Sequence, residues 1–403
     1  MDSIKRQKII VLIAGLVIML CVGILYMWSV FQPYVVEFHG WESGQVAMTS
    51  SIMIAMFVLG NIIGGLFQEK VSNRLITIVG CVMFSLGMYL TSLLPSSNPW
   101  LIYLTYSTLS GLGCGFAYCT VLQVLQKWFA AQTGLITGLT VSFFGLSVVI
   151  LSPVAERLLS TLGVPATFEI LAVVFAVITI VAALFIHKPT QEYYMAEASK
   201  VLRPDEFKQF TAREMLRTPM YWCITGSMIL SSAAYLVLVP FITTLALSRG
   251  MDSTMALAAV MCTGVANALG RIAAPALSDK IGRSTTIIVC CVLSALACIW
   301  IIFATGVAYI AAVFLIAMTY GGTSGVNPVM ATELYGAKNS ATNYGFVMIS
   351  IAISSILFGR IASAVGNAGD FTPVFVACAL VCVVPVILMT WMRRFCARHG
   401  KKI

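Results

Sequence analysis

Charged residues are scarce in this chain of 403 residues, of which only 10% are Asp, Glu, Lys or Arg. A soluble domain carries about 25% charged residues. Hydrophobic residues make up 60% of the chain, and the mean hydropathy is +0.96. These values exclude a water-soluble fold, because no such fold could hide that much apolar surface. The low charge also argues against a disordered chain and against a protein that binds nucleic acid.

A pattern typical of disulfides or metal sites is also lacking. Eleven of the twelve cysteines lie inside apolar runs, and Cys396 lies in the C-terminal tail. No C-x-x-C pair accompanied by histidines occurs, so a zinc site is not expected. The cysteines are interpreted as small apolar residues. We predict no metal, no cofactor and no catalytic group.

Long apolar runs account for most of the sequence. Each reaches the roughly 20 residues that a membrane-spanning helix needs. They predict an all-α membrane protein with twelve transmembrane helices in a lipid bilayer. The runs cover residues 8–31, 44–67, 75–94, 99–125, 134–155, 167–187, 220–246, 253–278, 285–305, 307–331, 342–366 and 372–392.

The cations predict the orientation of these spans. If the N-terminus is cytoplasmic, 20 of the 24 Lys and Arg residues lie in cytoplasmic segments. The opposite loops then hold only Arg157 and Arg249, as the positive-inside rule requires. We therefore predict a protein of the plasma (inner) membrane with both termini in the cytoplasm. The net charge of +9 is explained by this topology.

The chain also divides into two similar halves. A polar stretch separates the sixth and seventh spans, and an offset of 210 aligns Glu69-Lys70-Val71 with Asp279-Lys280-Ile281. The predicted domains are a six-helix bundle over 1–190, a cytoplasmic linker over 191–219 and a second bundle over 220–403. Parallel repeats of six helices are the arrangement of the major facilitator superfamily.

Arg271 is the residue with the clearest functional signal. It precedes Asp279 by eight residues, about 12 Å of helix, and half of the hydrocarbon layer is about 15 Å thick. Arg271 therefore lies near the membrane midplane, and Asn267 shares its helix face. Central arginines usually face a bundle interior or a cavity. We predict that Arg271 binds an anionic substrate; the alternatives are snorkelling to the surface or a buried ion pair.

Acidic residues and histidines are missing from the interior of every span; all fifteen carboxylates and all three histidines lie in loops, tails or span ends. A cationic substrate is therefore disfavoured, and any proton coupling must use a group at a span end or the substrate itself. Arg360 is the second cation inside a span, but it lies near the outer end, where snorkelling is easy. Polar residues of other spans complete the predicted substrate site, which comprises Arg271, Asn267, Tyr26, Tyr118, Tyr320 and Ser324. Tyr235, in the seventh span, is another polar aromatic residue.

In detail the chain resembles the oxalate/formate antiporter family of the major facilitator superfamily. The motifs that carry this resemblance, in order, are Gly23-x-x-Tyr26-x-Trp28, Gly111/Gly113/Gly115/Tyr118, Lys127-Trp128-Phe129, Arg217-Thr218-Pro219, Asn267-x-x-Gly270-Arg271, Asp279-Lys280-Ile281-Gly282-Arg283, Glu333-Leu334-Tyr335-Gly336 and Asn343-Tyr344-Gly345. Their order and spacing cover nearly the whole chain. The loop residues Asp279, Lys280, Gly282 and Arg283, with the degenerate first copy at Glu69 and Lys70, resemble the superfamily's signature loop and are expected to have a structural or gating role.

The resemblance implies transport of small carboxylates by alternating access, with Arg271 binding the carboxylate and Tyr118 in the pocket. The oxalate-exchanging branch is expected to carry a lysine where this chain has Ile351. One cation fits a monocarboxylate such as lactate, pyruvate or formate better than a dianion. The related monocarboxylate transporters commonly place an aspartate at position 267 and often couple to protons, whereas this chain has Asn267.

Alternatives remain at this point. They are an oxalate/formate-type exchanger, a membrane-embedded enzyme and a non-transporting sensor. An enzyme would call for a catalytic His/Asp/Glu cluster, and a sensor for an extra signalling domain; the sequence has no sign of either. We expect the protein to function as a monomer.

Overall fold

The computed structural model describes residues 2–68, 71–198, 210–336, 340–368 and 371–398, and within them the chain is helical with no strand. Eleven helices of this part are long and apolar enough to cross a membrane. We number the crossings α1 to α12 along the chain. They are α1 (Ile4–His39), α2 (Ser43–Phe67), α3 (Asn73–Ser92), α4 (Tyr103–Trp128), α5 and α6 (both within Leu135–Ala183), α7 (Pro219–Ser248), α8 (Ser253–Ile281), α9 (Arg283–Phe303), α10 (Gly306–Tyr335), α11 (Asn343–Val365) and α12 (Thr372–Cys396).

The count of eleven reflects one helix of double length. Leu135–Ala183 has 49 residues, about 74 Å at 1.5 Å per residue, more than twice a hydrocarbon layer of about 30 Å. Gly163 interrupts it with φ 77° and ψ −179°, a conformation that glycine adopts without steric penalty. We therefore assign residues 135–162 to α5 and residues 164–183 to α6. The predicted spans 134–155 and 167–187 fall on either side of this glycine, which makes the total consistent with twelve.

The chain forms two compact units, and the change from one to the other occurs inside α1 and inside α2. The first unit comprises Met1–Leu25 and Ile52–Glu206; the second comprises Tyr26–Ser51 and Phe207–Ile403. In the first unit, the beginning of α1 packs against α4 and α5, and α3 packs against α4. Glycines allow close packing there, since a Cβ on Gly115 would collide with the backbone of α2.

In the second unit, α8 packs along α10, and this contact positions the candidate site. Gly321 lies against the backbone of Asn267, and a Cβ built on Gly325 would lie 3.0 Å from the carbonyl oxygen of Arg271. Small residues at a helix crossing let two backbones approach closely in a membrane. The two glycines therefore hold the part of α8 that carries Asn267 and Arg271 directly against α10.

The end of α1 and the start of α2 also belong to this second unit. Residues 28–39 of α1 pack against α7 and α8. The indole Nε1 of Trp28, a fully buried residue, donates to the Val46 carbonyl at 2.9 Å. Gly359 of α11 lies so close to Ser51 that a side chain at 359 would overlap it. The segment 26–51 is therefore tightly packed onto helices of the C-terminal half of the chain.

The predicted linker, residues 191–219, contains two short helices, Gln191–Ala198 and Ala212–Leu216. In the first unit, the Lys8 ammonium donates to the Tyr193 hydroxyl at 3.1 Å and lies 4.3 Å from the Phe129 ring centroid. In the second unit, the hydroxyls of Thr218 and Tyr335 are 2.9 Å apart. Each described end of the linker is thus attached to the unit to which it belongs.

Arg249, between α7 and α8, caps the C-terminal end of α9. Its Nη1 donates to the carbonyls of Ile301 at 2.7 Å and Ala304 at 2.8 Å, where a cation complements the helix dipole. Burial lowers the pKa of Arg249, and the adjacent Tyr309 opposes this shift. The hydroxyl of Tyr309, on α10, donates to the Ile242 carbonyl of α7 at 2.8 Å. Arg249 and Tyr309 therefore connect α7, α9 and α10.

Candidate functional site

Helices α1 and α7 are both irregular where they approach the site. In α1, residues Gly23–Met27 form a 3₁₀ segment; α7 is interrupted at Ser232 and again by a 3₁₀ segment, Val239–Phe241. Substrate sites in secondary transporters are typically formed by discontinuous helices of this kind. Tyr26 lies in the 3₁₀ segment of α1, and Tyr235 lies between the two interruptions of α7. The two tyrosines are 209 positions apart in the sequence. This separation differs by one residue from the offset of 210 that aligns the two halves of the sequence.

Arg271 is oriented by its neighbour on α8. Its Nε donates to Oδ1 of Asn267 at 2.7 Å, and Asn267 is only 2% exposed. Arg271 as a whole is half-buried. It lies ten residues from the end of α8, or about 15 Å along the helix axis. Because the single proton of Nε is directed at Asn267, the edge formed by Nη1 and Nη2 is the one suited to a two-pronged contact with a carboxylate.

Three tyrosines, from α1, α7 and α10, form a cluster in the same unit. The rings of Tyr235 and Tyr320 stack with centroids 4.2 Å apart and planes at 16°, and the Tyr26 ring lies 6.3 Å from that of Tyr235. Gly321, next to Tyr320 on α10, lies against the backbone of Asn267. All three rings are more than 90% buried. Tyr26, Asn267, Arg271 and Tyr320 of the predicted site are therefore brought together within the second unit.

The other two predicted site residues have different surroundings. Ser324 lies one helical turn after Tyr320, and its buried hydroxyl has no hydrogen-bond partner among the residues that the structure describes. A buried hydroxyl in this state is available to a ligand. Tyr118 belongs to the first unit, where its ring packs edge-on against Phe57 at 5.1 Å and Phe144 at 5.0 Å. Its role in the pocket stays a prediction.

The signature loop is joined by an ion-pair network. The Arg283 guanidinium pairs with Asp279, and its Nη2 contacts Glu333 of α10 at 2.7 Å. Gly282 has φ 92° and ψ 150°, a conformation that favours glycine and separates α8 from α9. Lys280 is exposed, and Glu69 and Lys70 lie outside the described residues. The signature loop and the motif that begins at Glu333, 50 residues after Arg283, thus contact each other at the end of α8.

One residue of this cluster could not be selected from the sequence. Tyr235 is one of several aromatic residues in the spans. The structure stacks its ring on that of Tyr320. The near-repeat spacing of Tyr26 and Tyr235 is the signal that could have identified Tyr235.

The comparison with known families identifies the chain. The family model of the Major Facilitator Superfamily matches residues 11–359 and 237–400. The chain belongs to the major facilitator superfamily. It is therefore a multi-pass membrane transporter.

Individual superfamily relatives are similar at low identity. The "Uncharacterized MFS-type transporter YhjX" of Escherichia coli is 28% identical over 88% of this chain and 87% of its own length. The "Oxalate:formate antiporter" of Oxalobacter formigenes is 26% identical over 96% of this chain and 92% of its own. "Monocarboxylate transporter 2" of Meriones unguiculatus is 29% identical over 36% of this chain and 30% of its own. The resemblance predicted from the motifs is thereby confirmed.

Proposed function

We propose that this protein is a secondary active transporter of small monocarboxylates, of the lactate, pyruvate or formate class, working by alternating access. The observation that carries the proposal is the Arg271 guanidinium, which hydrogen-bonds to the neutral Asn267 amide beside three buried tyrosines. A guanidinium binds the two oxygens of a carboxylate through parallel hydrogen bonds. The tyrosine rings supply apolar surface for a short organic substituent.

The charge of the substrate follows from the cations within the spans. The sequence places only Arg271 and Arg360 there, and position 351, where oxalate exchange would call for a lysine, is isoleucine. Arg360 is exposed on α11, which leaves Arg271 as the cation of the site. A monoanion neutralises its single positive charge, whereas a dianion would leave one charge uncompensated in a low-dielectric site. A monocarboxylate is therefore favoured over oxalate.

Oxalate/formate-type anion exchange is the second candidate function. It is favoured by the relative from Oxalobacter formigenes, whose alignment covers nearly the full length of both chains. In this alternative, formate would be accepted by the Arg271 site, and oxalate would need a second cation from elsewhere.

The cellular arrangement forms part of the same proposal. The protein acts as a monomer in the plasma membrane, with both termini cytoplasmic and with bundles 1–190 and 220–403 joined by the linker 191–219. Position 267, where related monocarboxylate carriers commonly have an acid, is an amide that does not titrate. Any accompanying proton would then travel on the substrate or on a group at a span end.

Uptake into proteoliposomes tests the proposal. Labelled lactate, pyruvate, formate and oxalate are each offered, with and without a pH gradient, to liposomes that are empty or preloaded with the same anion. We expect saturable uptake of at least one monocarboxylate in preference to oxalate, and loss of that uptake in Arg271→Ala at equal expression. Preference for oxalate would favour the second candidate. Normal uptake by Arg271→Ala would contradict both.

A further inference from the structure

The start of α7 and the end of α12 lie side by side in the second unit. The last part of α12 packs against the first part of α7, and a Cβ added to Gly226 of α7 would lie 3.5 Å from Cδ1 of Leu388 on α12. Successive crossings run in opposite directions, so the seventh and the twelfth are antiparallel. Trp222 lies one helical turn before Gly226 and is therefore level with residues 391–392 of α12.

Two tryptophans are exposed at this level of the second unit. Trp222 is 63% exposed and Trp391 is 44% exposed. The Nε1 of Trp222 donates to the Leu216 carbonyl at 3.1 Å, so its one polar group is satisfied and its ring is left as apolar surface. The Trp391 ring stacks on that of Phe395 with centroids 5.3 Å apart. Tryptophans are enriched at the membrane–water interface, where their rings lie at the level of the lipid headgroups. The pair therefore marks that level.

Three exposed arginines lie just beyond the tryptophans. They are Arg217, before α7, and Arg393 and Arg394, near the end of α12. No ion pair among the residues that the structure describes involves any of them, and the last part of α12 contains no Asp or Glu. The Glu214 carboxylate, close to Arg217 in sequence, accepts instead from the Thr211 amide and hydroxyl at 2.8 and 2.9 Å. The three guanidinium groups are thus not paired with a carboxylate of the described chain.

One face of α12 carries both kinds of residue. Met389, Met392 and Cys396 recur at intervals of three and four residues and are all buried, so they form the face that packs against the protein. Trp391 and Arg394 are three residues apart on the other side of the helix, and both are exposed. An acyl chain that lies against the Trp391 ring would therefore place its headgroup phosphate beside the Arg394 guanidinium.

The basic–aromatic surface, as we call it, consists of Trp222, Trp391, Arg217, Arg393 and Arg394. We propose that this surface binds an anionic phospholipid, with the phosphate among the three arginines and the acyl chains along the two tryptophans. Guanidinium groups bind phosphate oxygens through paired hydrogen bonds, and cations next to a membrane span attract anionic lipids. An acidic soluble protein would use the arginines without needing the exposed tryptophans. The inference does not depend on which anion the transporter carries.

Lipid binding to the purified full-length protein tests the proposal. Thermal stabilisation in detergent is measured against added phosphatidylglycerol, phosphatidylcholine with the same acyl chains, and inorganic phosphate. We expect phosphatidylglycerol to stabilise at a concentration about tenfold lower than phosphatidylcholine, because only the first lipid has a net negative charge. Inorganic phosphate lacks acyl chains and should not stabilise the protein at these concentrations. Higher salt should reduce the difference between the two lipids.

Charge-removing variants locate the binding surface. Arg393→Gln combined with Arg394→Gln should lower the affinity for phosphatidylglycerol roughly 25-fold, at about fivefold for each cation near an anionic lipid. Lys5→Gln combined with Arg6→Gln is the matched control, because it removes the same charge from two exposed cations at the start of α1. It should leave that affinity unchanged. All four side chains are exposed, so the unfolding temperature without lipid should match that of wild type in both variants.

A tryptophan variant tests the apolar part of the surface. Trp391→Leu should weaken the binding of both lipids, whereas Trp100→Leu, which removes a tryptophan 63% exposed in the first unit, should weaken neither.

Three results would overturn the inference. They are equal stabilisation of wild type by both lipids, equal losses in the two double variants, and stabilisation by inorganic phosphate or polyglutamate that matches phosphatidylglycerol. The last result would assign the arginines to a soluble anion or an acidic protein. None of them bears on uptake by Arg271→Ala, which tests the proposed function.

Discussion

Ile351 and Arg360 lie on opposite sides of α11. They are nine residues apart, which at about 100° per residue is two and a half turns. Ile351 is buried, at 6% exposure, whereas Arg360 is exposed on the same face as the exposed residues Ile353, Ile356 and Leu357. The arginine therefore shares its face with apolar side chains suited to lipid. Residue 351 and Arg360 therefore cannot both face the substrate.

Replacing Arg360 by glutamine is accordingly expected to leave the monocarboxylate preference unchanged. Its side chain lies on the lipid-facing side of α11 and can reach the headgroup region by snorkelling. Uptake of lactate, pyruvate, formate and oxalate by Arg360→Gln is compared with wild type at equal expression. A loss of uptake comparable to that of Arg271→Ala would show that Arg360 contributes to the site.

Arg271→Lys is expected to reduce monocarboxylate uptake by about tenfold or more. An ammonium cannot make the two parallel contacts of a guanidinium, and lysine has no Nε–H directed at Asn267. The reduction should appear mainly as a higher KM, because the positive charge is retained. Uptake kinetics of the purified variant in liposomes provide the measurement, and wild-type KM would exclude two-pronged binding.

Ile351→Lys is expected to shift the preference of the transporter toward dicarboxylates. A second cation at this buried position would compensate the second charge of oxalate, which a single arginine leaves unbalanced. Ile351→Met is the control, since it keeps an apolar side chain of similar size. Competition of unlabelled oxalate against labelled monocarboxylate measures the shift. Equal competition in both variants would place residue 351 away from the substrate.

Gly321→Ala is expected to lower stability and uptake together. An added Cβ would lie 2.9 Å from the Asn267 Cα, so α8 and α10 would have to separate where Asn267 and Arg271 are held. Such overpacking destabilises a core by about 1–3 kcal/mol. Gly226→Ala on α7 is the control, because its Cβ would meet only Leu388 at 3.5 Å, an ordinary contact. The unfolding temperature in detergent and the rate of uptake should both fall for Gly321→Ala and stay unchanged for Gly226→Ala.

The membrane character of the chain could be predicted from its sequence because the bilayer imposes a simple requirement of length and apolarity. The predicted spans agree with the helices, including the pair separated by Gly163. The pairing of Arg271 with Asn267 could also be predicted, since residues four apart share a helix face. The length and apolarity of the runs were sufficient in the first case, and the helical period was sufficient in the second.

Contacts between helices were decided by the tertiary structure. The stack of Tyr235 on Tyr320 joins residues 85 positions apart, and the Arg283–Glu333 ion pair joins residues 50 apart. No local period encodes such partners, because they depend on which faces of separate helices pack together. For the same reason, the change between compact units inside α1, between Leu25 and Tyr26, had no marker in a continuous apolar run. Composition and the length of the apolar runs determine that this chain crosses the membrane, whereas packing between helices determines where the Asn267–Arg271 pair of α8 is held against α10.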